Sequence, residues 1–122
     1  MSTTHAEVSG RGAAGEPAAE FTVTGPLAAV VTLTAYGPLD EAAVAGLSTA
    51  TDAALQRAAD DTGCVVVDLT AVTYLAMEAL QQLALLARAC RLAGVQLRVL
   101  PSPVARRKIV LAGLAEFLPL ER

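Results

Sequence analysis

The run CVVVDL, Cys64 to Leu69, constrains this chain more than any other stretch. β-Branched residues in unbroken succession favour an extended backbone, and a run without polar alternation predicts a strand buried on both faces. Strands of that kind belong to parallel sheets covered by helices. The residues that follow agree. From about Met77 to Ala93 the pattern is helical: at ~100° per residue, Leu80, Leu83, Leu86, Ala87 and Cys90 share an inward face, with Gln81, Arg88 and Arg91 opposite. Gly94 supplies the stop. Leu85 and Leu92 fall beside the polar stripe, so the helix is apolar over more than its inward half. Either a thin domain has leucines to spare, or these residues face a partner.

The remaining elements fall around this strand and helix. EFTVTG alternates Phe21 and Val23 with Thr22 and Thr24 and predicts a short edge strand, with Gly25-Pro26 as a turn. LAAVVTLTAYG predicts a second strand, ended by Gly37-Pro38. Asp40 is a candidate N-cap for a helix from about Glu41 to Ala59, which carries Val44, Leu47, Thr51 and Leu55 at spacings of three and four. Gly63 marks the turn into CVVVDL. VQLRVL alternates Val95, Leu97 and Val99 with Gln96 and Arg98 as a further strand. Ser102 and Pro103 then form the N-cap and N1 pair of a last helix, ended by Gly113, and EFLPLE is expected to be extended. The order is β-β-α-β-α-β-α. Right-handed crossovers turn that order into an α/β fold: a mixed sheet of four to five strands, mainly parallel inside, with helices packed against it. Residues 1–19 are small, polar and rich in Gly and Ala, and are expected to be a disordered tail before one domain at 20–122.

Composition narrows the function. A net charge of -3 lacks the basic excess of a nucleic-acid binder, and 3% aromatics leaves little for stacking bases. The basic triplet Arg106–Lys108 is expected to be an exposed helix face. There is no Gly-rich phosphate loop, and no Ser or Cys has an evident base beside it. The only histidine is His5. Cys64 and Cys90 are expected to be buried, reduced thiols rather than metal ligands. No apolar run approaches the ~18–20 residues that span a bilayer, and no basic-then-apolar leader is visible, so a cytoplasmic protein is expected. Neither a catalytic residue, a metal nor a cofactor is expected.

From Val65 to Leu120, and already at GPLDEAAVAGL, the chain resembles the STAS domain, the family of bacterial anti-sigma-factor antagonists. GPLD is similar to the family's GELD turn into its first helix. VVVDLTAVTYL is similar to the strand VVLDLSGVTFI. ALQQLALLARACRLAGVQLRVL resembles the long second helix and its following strand, and PSPVARRKIVLAGLAEFLPL the Pro-containing turn, helix and close. One place departs. Phosphorylatable members carry Asp-Ser-Ser/Thr-Gly-Leu after the strand; here the same places hold Ala76, Met77, Glu78, Ala79 and Leu80. Met77 falls at the phosphoacceptor serine and has no hydroxyl. The acid of the GELD turn is retained as Asp40.

The resemblance implies a non-catalytic regulator that binds an anti-sigma factor, often also a serine kinase of ATPase fold, by protein-protein contact. It implies a partner surface of Asp40, Tyr74, Ala76, Met77, Glu78, Leu80 and Gln81, extending along the exposed side of the second helix. A phosphate there would add a charge of about -1.5 to -2 and new acceptor oxygens, and Met77 cannot carry it. The chain is therefore either a permanently unphosphorylated binder, with Met77 as an adaptable apolar contact, or one in which Glu78 supplies a fixed negative charge. Glu78 has a plain role as well, complementing the helix dipole. Thr70 and Thr73 are alternative phosphoacceptors or ordinary turn residues. The competing function implied by the same family is a structural subunit of a lipid-transport ABC system or of a stress-signalling scaffold.

Overall fold

A computed structural model describes residues 4–6, 18–60 and 63–121. The elements are β1 (Thr4–Ala6), β2 (Glu20–Leu27), β3 (Val30–Leu39), a 3-10 turn (Glu41–Ala43), α1 (Val44–Asp60), β4 (Cys64–Leu75), α2 (Met77–Ala93), β5 (Gln96–Pro101) and α3 (Pro103–Leu111). The strands form one sheet in the order β1-β2-β3-β4-β5. β1 and β2 run antiparallel to their neighbours, whereas β3, β4 and β5 are parallel. This is the expected α/β architecture, a mixed sheet with a parallel centre.

The steps β3-α1-β4 and β4-α2-β5 advance in the same direction across the sheet. Right-handed crossovers therefore put α1 and α2 on one face, where they pack against each other. Burial follows: Val31, Leu33, Ala35, Val65, Val67 and Leu69 are buried with Leu47, Ala50, Ala54, Leu80, Leu83 and Leu86 in one cluster. The expected two-sided burial of CVVVDL is corrected here. Val66, Cys64 and Asp68 are only half-buried, because they point to the face opposite the helices, next to Thr32 and Thr34.

Other boundaries shift for physical reasons. Gly25-Pro26 does not turn the chain; it lies inside β2 at a register shift, and the two-residue turn is Ala28-Ala29, both at positive φ. That is the backbone of a type I′ hairpin, which the right-handed strand twist favours even without Asn-Gly. β3 runs through Gly37-Pro38 to Leu39 because β4 continues beside it to Leu75. Asp40 caps as expected, its carboxylate accepting from the Ala43 amide at 3.1 Å, but the first turn is 3-10. Val44 and Leu55 are half-buried, while Ala50, Ala54 and Ala58 are buried, so alanines let α1 approach the sheet closely. α2 spans the expected residues, with Gly94 at φ 73° accommodating its C-terminal turn. The Ser102 hydroxyl accepts from the Ala105 amide at 3.1 Å.

Instead of a further strand, residues after Gly113 make turns that end in one parallel bridge, Val99 to Leu120, along the free edge of β5. Arg98 pairs there with the Glu121 carboxylate through two 3.2 Å bonds, and Arg106 donates to the Glu121 carbonyl. Of the expected disordered tail, Thr4–Ala6 is corrected to a strand pairing with Phe21–Val23, and Ala19 is buried against the core. Residues 1–3 and 7–17 lie outside the described residues. Cys90 is buried, but Cys64 is only half-buried at the start of β4.

Candidate functional site

The junction between β4 and α2 sits where the parallel strands end, the edge of the sheet at which α/β folds build their sites. Pairing fixes its geometry. Pro38 pairs with Tyr74 and Leu39 with Leu75. The Ala76 amide then donates to the Leu39 carbonyl at 2.9 Å. The residues that follow Leu39 and Ala76 are Asp40 and Met77, so the Asp40 turn and the start of α2 form one surface. Ala76 occupies the N-cap position in an extended conformation and offers no side-chain acceptor, so the first turn of α2 is uncapped. The first helical bond runs from the Leu80 amide to the Ala76 carbonyl.

Of the expected contact residues, this arrangement brings together Asp40, Tyr74, Met77, Glu78 and Gln81 at the surface. Tyr74 is 50% exposed and Met77 44%. Glu78 and Gln81 are exposed, and Asp40 is half-buried by its capping bond. Two expected contacts are corrected. Leu80 is fully buried and Ala76 nearly so, because position 80 lies on the core face of α2 and Ala76 is drawn in by its bond to Leu39. Both support the surface and offer no area to a partner.

The structure adds residues that periodicity alone does not flag. Tyr36, 45% exposed, stands at the same end of β3, opposite in direction to buried Ala35, and Glu41 is exposed in the 3-10 turn. The available signal was local: one of the two tyrosines of the chain directly precedes GPLD. Thr70 is engaged, its hydroxyl donating to Asp68 Oδ1 at 2.6 Å and its amide to the same oxygen at 2.9 Å, whereas Thr73 is exposed. Further along α2, Leu85 and Leu92 are exposed, and Leu85 borders a hollow of about 280 Å³ between α1 and α2 that Leu55, Leu86 and Asp52 also line. Among the described residues no group of His, Cys, Asp and Glu is arranged to hold a metal ion, and no helix is long and apolar enough to cross a membrane.

The sequence model of the STAS domain matches residues 21–122. The chain belongs to the STAS domain family. Among solved structures, it is similar to an anti-sigma factor antagonist from Mycobacterium paratuberculosis, at 26% identity and a TM-score of 0.72, over 84% of this chain and 85% of that one. It also shares its fold with the anti-sigma factor antagonist SpoIIAA in its unphosphorylated form, at 16% identity and a TM-score of 0.64, over 84% of this chain and 88% of that one. No curated protein matches the chain. The junction is thus that of a STAS domain whose second helix starts Met77-Glu78 after an Ala76 N-cap.

Proposed function

We propose that this STAS domain is a non-catalytic antagonist of an anti-sigma factor, binding an ATPase-fold partner by protein-protein contact in the cytoplasm and lacking a phosphorylation switch at the usual position. One observation carries the reading: the first residue of α2, beside the Asp40 turn, is an exposed methionine. A thioether on a flexible stem suits a protein contact and offers no oxygen to a kinase. The contact surface is Asp40, Tyr74, Met77, Glu78 and Gln81, with Tyr36 and Glu41 at its border. The similarity to anti-sigma factor antagonists supports the class of partner.

The test is co-purification from the native host, followed by binding and phosphotransfer assays with the purified partner. An anti-sigma factor should bind the wild-type chain, and ATP should leave that complex intact. Met77→Ser restores a hydroxyl and should make the complex ATP-sensitive if the kinase tolerates Ala76 before it. Capture of a transporter ATPase or scaffold proteins in place of an anti-sigma factor would assign the domain to a structural role and overturn the proposal.

A further inference from the structure

The junction carries a sharp imbalance of charge. Tyr36, Tyr74 and Met77 are exposed, the charged residues in the segments that carry them are Asp40, Glu41 and Glu78, and Glu20 pairs directly opposite Tyr36. No Lys or Arg occurs in residues 36–42 or 70–82, the segments that build this surface. The first base on α2 is Arg88, about three turns beyond Met77. The basic triplet lies outside these segments on α3, which packs against β4; Arg106 is held there by the Glu121 carbonyl, and Arg107 is exposed. Tyrosine and methionine are enriched at the centres of protein interfaces, whereas Asp and Glu are depleted there and work at the rim.

Resting on the function proposed above, we infer that the partner meets this surface with an apolar hollow rimmed by Lys or Arg, and that Glu41 and Glu78 select for that basic rim. The charge is built in. The acid that phosphorylatable members carry just before the phosphoacceptor is Ala76 here, and Glu78 supplies the fixed negative charge instead, inside the first turn of the helix. A partner face that is neutral or acidic would meet unpaired like charges, which is a strong means of rejection. The acids therefore act as specificity determinants, and the tyrosines and Met77 as the contact area.

The experiment uses the purified full chain and the anti-sigma factor identified by co-purification, with association followed at about 0.05 M and about 0.5 M salt, where screening lengths differ severalfold. At low salt, Glu78→Gln and Glu41→Gln should each weaken binding about two- to fivefold, mainly by slowing association, and should approach wild type at high salt. Arg107→Gln on α3 should leave binding unchanged. Binding insensitive to salt and to both acid substitutions, yet weakened by Met77→Ala, would overturn the basic-rim inference and leave the proposed function standing. Failure to bind any anti-sigma factor would overturn both.

Discussion

Two side chains at this junction differ by three positions and have opposite roles. Met77 is exposed and Leu80 is fully buried, although both belong to the first turn of α2. Leu80→Ala should therefore cost about 2–5 kcal/mol of stability through the cavity it opens, read from urea unfolding, and should alter partner affinity only through that loss. Met77→Ala should leave the unfolding midpoint within error and weaken the partner complex. The cap residues are a separate case. Ser102→Ala removes the acceptor for the Ala105 amide at a buried position and should cost about 1 kcal/mol. Ser102 was legible because capping depends on residues within one turn. Leu80 as a contact came from the family motif alone, and its burial agrees with the helical periodicity that already placed it on the inward face.

At the scale of elements, the β-hairpin and the start of β4 are locked together. The Gly63 backbone passes so close to Ala29 that an added Cβ would lie 2.0 Å from the Ala29 carbonyl oxygen. Gly63→Ala must push β3 and β4 apart at their entry and should destabilise by about 1–3 kcal/mol, measurable as a lowered melting temperature with an unchanged helical spectrum. No sequence pattern announces this contact, since the two residues meet only through parallel pairing. The C-terminal segment is held to β5 by a different means. The Arg98 guanidinium hydrogen-bonds the Glu121 carboxylate and holds it below the usual carboxylate range. A carboxyl lowered in the folded state stabilises at neutral pH, and that contribution disappears as pH falls through the lowered value. Both side chains are exposed, so the effect is small. Limited proteolysis between Gly113 and Glu121 should therefore accelerate at acid pH, and Glu121→Gln should show the faster cleavage already at neutral pH.

For the whole molecule, the core on one side of the sheet encloses Cys90 and leaves Cys64 half-buried on the opposite face. Burial pushes the Cys90 thiol up to about 11, and Cys64 is raised too, again chiefly by desolvation. A thiol reagent at neutral pH should label Cys64 slowly and Cys90 only on unfolding; rapid labelling of Cys90 in the native protein would contradict this core. The sequence alone determined the order of elements from β2 to α3, α2 from end to end, the Asp40 and Ser102 caps and the parallel centre of the sheet. Each of these follows from local periodicity, capping chemistry or the handedness of a crossover. Only the tertiary structure decided that β4 is covered on one face, that the hairpin turns at Ala28-Ala29, that Tyr36 is exposed at the end of β3, and that the C-terminal residues close the edge of β5. Those outcomes depend on which distant residues share the same space, and a pattern read along one chain contains no distances between them.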